Sequence, residues 1–298
     1  MSYTSRLNQA FEGAPRLPLD CRSKYVLVSD CHRGIGTTND NFLKNQHLYF
    51  AALQHYYQAG FTYIELGDGD ELWENRSLAQ IIETHGNVFD LLSRYQAKNR
   101  LYMLYGNHDI VKRSSRYASR HCRTFPCGCG NNPHREQKPL LPDITFYPGI
   151  ILENHAGPDA RDIYLTHGHQ ADFLNSALWP LSRFLVRYVW KPLEHYGVLD
   201  PTSAAKNYTR KHKTERRLQH YAAQNGVTLI TGHTHRPALS ADSPRYYNSG
   251  SCVHPRCITC LEIENMQIRL VKWTMTVHPD MSLYVAREQL AGPLSLAG

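Results

Sequence analysis

Five short apolar runs in this chain each stop at a cluster of residue types that bind metals. Lys24-Tyr-Val-Leu-Val-Ser29 gives way to Asp30-Cys31-His32, and Phe61-Thr-Tyr-Ile-Glu-Leu66 to Gly67-Asp68-Gly69-Asp70. Leu101-Tyr-Met-Leu-Tyr105 runs into Gly106-Asn107-His108-Asp109, and Asp162-Ile-Tyr-Leu-Thr166 into His167-Gly168-His169. Val227-Thr-Leu-Ile230 is followed by Thr231-Gly232-His233-Thr234-His235-Arg236-Pro237. Runs this short, rich in β-branched and aromatic residues, read as buried strands. Helical spacing over 39–59 and 78–97 separates the first three. Strands alternating with helices predict sheets covered by helices, and in such layers a site lies beyond the carboxyl ends of the strands. One Asp-x-His alone is weak. Its recurrence in kind at five strand ends points to a metal site.

The remaining sequence sets bounds. A chain of 298 residues with 42% apolar residues has material for one large α/β domain spanning 1–298 and is not disordered. No run approaches the roughly 18 apolar residues of a membrane span, and the first twenty residues lack a hydrophobic signal segment. The expected location is therefore the cytoplasm, and the eight cysteines are expected as free thiols. A net charge of +7 favours anionic partners without choosing among them. Residues 1–23 read as an irregular leader, 111–160 as a Cys-rich insertion and 173–224 as a helical insertion. Near the end of the chain Tyr246–Ser251, Cys260–Ile263 and Ile268–Val277 alternate apolar with polar residues, which suggests antiparallel strands on one sheet edge.

The donors collected from the strand ends are Asp30, His32, Asp68, Asn107, His167, His233 and His235, with His169 a second choice beside His167. Carboxylate, imidazole and amide together suit manganese, iron or zinc better than calcium or a thiolate zinc site. Seven side chains are too many for one tetrahedral ion. They fit two ions if one carboxylate bridges, and two ions roughly 3.5–4 Å apart form a clamp for in-line displacement at phosphorus.

The order Asp-x-His, Gly-Asp, Gly-Asn-His-Asp, His-Gly and Gly-His-x-His resembles the calcineurin-like metallophosphoesterases from about Lys24 to Trp273, the insertion excepted. The resemblance implies a four-layer αββα sandwich and two divalent ions, manganese first. It implies that Asp30, His32 and His235 bind one ion, that Asn107, His167 and His233 bind the other, and that Asp68 bridges them. His108 would then protonate the leaving group or steady the phosphate, with Asp109 orienting its ring. Gly-His-Thr-His-Arg-Pro-Ala and the Gly-Asp-x-x-Glu-Leu-Trp around Asp68 are most similar to the UDP-2,3-diacylglucosamine pyrophosphatases, which carry Arg in place of His108. That finer resemblance implies a phosphate-containing, lipid-linked nucleotide substrate, and peripheral contact with the inner face of a membrane.

Several weaker signals stand beside these. Leu174, Leu178, Leu181, Leu185, Tyr188, Val189 and Leu193 share one helical face, and Arg183, Arg187 and Lys191 another. The preferred reading is a helix packed on the sandwich with a solvated basic face. The other is a lid that meets an acyl chain. Lys206, Arg210, Lys211, Lys213, Arg216 and Arg217 form a basic stretch read as a solvated face, with too few interleaved aromatics for a nucleic-acid binder. Cys257-x-x-Cys260 invites a zinc ribbon, yet it has no second such pair to complete one. As functions, a metal-dependent hydrolase of phosphoesters or diphosphates leads. A general phosphodiesterase or phosphomonoesterase acting on nucleotides or phosphoproteins, a nuclease, and a non-catalytic scaffold are the alternatives.

Overall fold

The computed structural model describes residues 1–37, 40–127, 136–157, 160–190, 208–242 and 245–297. Its first part comprises α1 (Tyr3–Phe11), β1 (Arg16–Leu19), β2 (Lys24–Val28), α2 (Gln46–Gln58), β3 (Thr62–Leu66), α3 (Leu78–Thr84), α4 (Gly86–Ala97) and β4 (Leu101–Leu104). Then follow α5 (Ser115–His121), a small hairpin of β5 (Thr124–Cys127) and β6 (Glu136–Pro139), β7 (Phe146–Tyr147), β8 (Gly149–Asn154) and β9 (Ile163–Thr166). The last part holds α6 (Phe173–Ser176), α7 (Trp179–Leu185) with a π-helical turn over Val186–Trp190, and a helix Tyr208–Asn225. It closes with β10 (Thr228–Thr231), β11 (Tyr246–Asn248), β12 (Cys257–Glu264), β13 (Gln267–Val277) and β14 (Leu283–Ser295).

Two sheets face each other. One runs β14-β13-β12-β2-β3-β4-β7 and the other β1-β8-β9-β10-β11. Alternation along the strands decides what each face buries. Tyr25 and Leu27 of β2, with Ile64 and Leu66 of β3, point between the sheets, where they meet Leu152, Leu165 and Ile230. Val26, Val28 and Tyr63 point the other way, onto Leu53, Tyr56 and Tyr95 of the covering helices. The outer face of the five-stranded sheet is closed by Leu7 and Phe11 of α1 and by Leu218 and Tyr221 of the helix Tyr208–Asn225. Three apolar layers thus separate four structural ones, the αββα sandwich. Among the described residues no helix is long and apolar enough to cross a membrane.

Several expectations are revised. The leader contains α1 and β1, and β1 pairs in parallel with β8. The helix read over 78–97 breaks at His85, whose buried ring bonds Asp40 at 3.2 Å. Of the stretch 111–160, β7 and β8 belong to the two main sheets, so only the part before β7 stands outside them. Tyr246–Asn248 joins the five-stranded sheet in parallel with β10, whereas β12 and β13 are antiparallel as expected. Cys260 lies in the core with its sulfur 3.2 Å from the Tyr56 hydroxyl, and no cysteine enters a donor cluster among the described residues. Lys191, Leu193 and Lys206 lie outside the described residues.

Candidate metal centre

The five motif-bearing strands divide between the sheets. β2, β3 and β4 of the larger sheet carry Asp30, His32, Asp68 and Asn107; β9 and β10 of the smaller carry His167, His233 and His235. The loop after β2 is zipped to the loop after β3: Asp30 N–H donates to Gly67 O, His32 N–H to Asp68 O and Arg33 N–H to Gly69 O. In this path Asp30, His32, Asp68, His233 and His235 all adopt left-handed backbone, with φ between 48° and 67°. Such a conformation costs a non-glycine residue roughly 1–2 kcal/mol, so it persists only where neighbours fix it. Two glycines allow the loops to close in. A Cβ on Gly106 would collide with the carboxylate and backbone N of Asp68, and one on Gly232 with Ser29 and the Asp30 carboxylate.

Two donor groups result. Asp30, His32 and His235 converge in one, with His235 Nε2 3.0 Å from Asp30 Oδ1 and 3.3 Å from His32 Nε2. Asp68, His167 and His233 converge in the other. Asn107 joins this second group, its Oδ1 3.3 Å from His167 Nε2. Asp68 stands between the groups: Oδ2 is 3.2 Å from His167 Nε2 and 3.8 Å from His32 Nε2, while Oδ1 accepts from His108 N–H at 2.8 Å. All seven expected donors are therefore brought together.

The arrangement fits cations better than it fits itself. His233 Nε2 is buried without a hydrogen-bond partner, which is costly unless something else satisfies it. His32 and His167 already have their outer nitrogens occupied: Nδ1 of His32 lies 2.9 Å from Glu71, and Nδ1 of His167 lies 2.9 Å from Leu66 O. Those acceptors place the proton on Nδ1 and turn each Nε2 lone pair inward, as a ligating imidazole requires. Burial pulls the His32 pKa down, but Glu71, Asp68 and Asp30 together raise it to about 10. At His167 burial is likewise outweighed, by Asp68 and Asp30, giving about 9. His235 goes the other way, to about 4, because burial prevails over Asp30.

His108 is held differently from the expectation. Its Nδ1 lies 2.9 Å from Glu71 Oε1, not against Asp109, and its ring stacks on Trp73 with centroids 4.3 Å apart and planes 24° apart. Asp109 faces the other way: Oδ1 accepts from Gly106 N–H at 2.7 Å, and Oδ2 from Gly69 N–H and Lys112 Nζ. It is a loop fastener. Glu71 is the orienting carboxylate, shared by His32 and His108, and its signal in the sequence is the Glu of Gly-Asp-x-x-Glu-Leu-Trp. His169 is buried beside His167, with Nδ1 unpartnered and ring centroids 5.4 Å apart. Asp172 was not foreseen; its Oδ2 is 3.8 Å from His233 Nε2, and Arg210 contacts the same carboxylate.

Beneath the centre lies a buried charge network. Arg33 donates to both oxygens of Glu65 at 2.9 Å and to Asp70 at 2.7 Å, and Lys112 bridges Asp70 and Asp109 at 2.6 and 2.8 Å. It ties the three loops of the larger sheet together.

Solved structures with overall likeness to the chain include a conserved uncharacterised protein from Streptococcus pneumoniae, described as a predicted phosphoesterase. That likeness covers 91% of this chain and 99% of the other at 13% identity, with a TM-score of 0.34. Vps29 of Chaetomium thermophilum covers 91% and is itself covered to 97%, at 10% identity and a TM-score of 0.39. Likenesses this loose add nothing to the assignment. No curated protein matches the chain. The family model described as calcineurin-like phosphoesterase matches residues 23–237, which contain every donor described above. The chain thus belongs to the calcineurin-like phosphoesterase family and is a metal-dependent phosphoester hydrolase.

Proposed function

We propose that Asp30, His32 and His235 hold one divalent transition-metal ion, that Asn107, His167 and His233 hold a second, and that Asp68 bridges them. Manganese is the first choice, with iron and zinc compatible with the same donors. We further propose that the substrate is a diphosphate joining a nucleotide to an acylated lipid, the class taken by UDP-2,3-diacylglucosamine pyrophosphatases. When bound, paired divalent ions neutralise phosphate oxygens and lower the pKa of water, so that attack at phosphorus proceeds at neutral pH. The chain supplies the rest. Glu71 holds Nδ1 of His108, leaving Nε2 to pass a proton to the departing oxygen as the P–O bond breaks.

One observation carries the lipid reading. Directly after Asp172, which reaches toward His233, the helical segment exposes Phe173, Leu174, Leu178, Leu181, Phe184 and Tyr188, each between 37% and 55%. A ledge of exposed apolar side chains along one segment marks a contact for something apolar, and here the segment begins beside the metal centre. An acyl chain on the ledge would place the diphosphate over the donors, and the same ledge suits peripheral contact with a membrane. Replacing Leu181 and Phe184 by Ser should then lower kcat/KM on an acylated nucleotide diphosphate at least about 10-fold while sparing bis-p-nitrophenyl phosphate, because remote binding energy positions the reacting group. Equal losses on both substrates, or faster turnover of the plain diester, would remove the lipid from the reading and leave a general phosphodiesterase.

A further inference from the structure

The helical segment turns an unexpected face to the body of the protein. Phe173, Leu174, Leu178, Leu181, Phe184 and Tyr188 face solvent and Val186 is buried, while Arg187 reaches inward. The Arg187 guanidinium donates to three backbone carbonyls of the turn after β3: Nε to Trp73 O at 2.8 Å, and Nη2 to Leu72 O at 2.7 Å and Asn75 O at 3.2 Å. That turn is closed on its other side by Glu71, whose Oε1 accepts from the N–H groups of Trp73 and Glu74 at 3.2 Å. Carbonyls at the end of a helical turn converge without internal partners. A planar fork with several donors can satisfy three of them at once, and an ammonium group cannot match it. Next to Arg187, Tyr188 adds a second tie by accepting from Arg76 at 2.9 Å.

The residue so fastened is Trp73, whose ring lies against His108. His108 therefore has its Nδ1 fixed by Glu71, one ring face covered by Trp73 and its edge near His32, with ring centroids 4.6 Å apart. We propose that Arg187 is a positioning residue: it holds Trp73 against His108 and makes the helical segment part of the apparatus that aims the His108 ring. This inference rests on the role given to His108 above. It also gives that segment a task independent of any lipid, since Arg187 meets the turn after β3 through the backbone carbonyls of Leu72, Trp73 and Asn75.

The test uses the full-length, manganese-loaded enzyme and two diesters of one nucleotide, one with a p-nitrophenyl leaving group and one with an alkyl leaving group. Nitrophenolate departs without help, whereas an alkoxide needs the proton that His108 delivers. Arg187→Ala should lower kcat on the alkyl diester about 10–100-fold, with KM and the nitrophenyl rate changed less than about threefold, as for loss of an interaction made only in the transition state. Arg187→Lys should recover little of it. In a His108→Ala background, Arg187→Ala should cost nothing further, because a residue acting only through another is non-additive with it. In metal-free protein, Arg187→Ala should also raise the fluorescence that the stacked imidazole quenches, and this rise should vanish in a Trp73→Phe background. Equal losses on the two diesters, additive losses in the double variant, or an unchanged Trp73 signal would overturn the coupling. If His108→Ala itself leaves the alkyl diester untouched, the role of His108 falls and the coupling with it. If His108→Ala is severe and Arg187→Ala is silent, only the coupling falls.

Discussion

Glu71 and Asp109 are both buried carboxylates within reach of the His108 loop, and the structure gives them opposite jobs. Asp109 is next to His108 in the chain, and that adjacency suggested a pairing. Adjacent side chains need not converge: in the turn over His108 and Asp109 the Asp109 carboxylate turns to Gly106, Gly69 and Lys112 instead. Glu71, from the preceding loop, binds His108 and His32 together. Substitution should separate the two. His108→Ala should retain metal and melting temperature and lower kcat about 10²–10⁴-fold on substrates with poor leaving groups. Glu71→Gln should approach that loss, since a neutral amide holds neither imidazole proton as firmly. Asp109→Asn leaves Lys112 short of a partner and should instead cost about 3 kcal/mol of stability, with a smaller effect on kcat at matched metal occupancy. Denaturant titration beside steady-state kinetics reads both. An Asp109→Asn variant with full stability and kcat as low as that of His108→Ala would restore the pairing inferred from adjacency.

At the level of elements, the charge network of Arg33, Glu65, Asp70, Lys112 and Asp109 keeps the three loops after β2, β3 and β4 in register. Burial alone would raise the Asp70 pKa, but Arg33 and Lys112 hold it at about 2, below its ordinary 3.8. A depressed carboxylate contributes stability that is fully present above its unfolded pKa and is lost as pH falls through the folded one. Wild type should therefore lose its advantage over Asp70→Asn between about pH 4 and pH 2. A constant gap across that range, measured by urea unfolding, would show that the Asp70 charge is not what the loops depend on. The strands that carry the donors were legible because each is a short apolar run with a polar stop. Other elements were not. α1 buries only Leu7, Ala10 and Phe11, too few to stand out as a stripe. β14 is exposed at most positions, so no alternation marks it. The segment 173–190 has two clean faces in sequence, but amphipathicity does not say which face turns inward; here three carbonyls after β3 draw Arg187 in and leave Leu174, Leu178 and Leu181 outside. Likewise the donor list could be read from strand ends, whereas Glu71, Asp172 and Trp73 gain their roles only from the way separate loops meet.

Considered as a whole, the molecule is two sheets joined face to face by an apolar layer, and both donor groups lie across that junction. Asp30 and His32 belong to the larger sheet and His235 to the smaller; Asn107 belongs to the larger and His167 and His233 to the smaller. A cation in either group would cross-link the sheets at the carboxyl ends of their strands, so metal should stabilise the fold as well as permit chemistry. At a free metal concentration about 1,000 times the dissociation constant, one site adds about 4 kcal/mol. Protein purified without chelator should carry close to two equivalents by elemental analysis, and chelation should lower the melting temperature. Chelation should also speed amide exchange at the ends of β2, β3, β9 and β10 more than at β13. Protons are linked to the same event. With pKa values raised to about 10 and about 9, His32 and His167 are protonated at pH 7 in the metal-free chain, and each must give up a proton to ligate; His235, lowered to about 4, has none to give. Metal affinity should therefore rise from pH 6 to pH 8, and calorimetry at pH 7 in buffers of different ionisation enthalpy should register proton release on loading. Affinity that is flat over that range, or loading without proton release, would mean that the two imidazoles are already neutral and that the carboxylates around them do not govern the site.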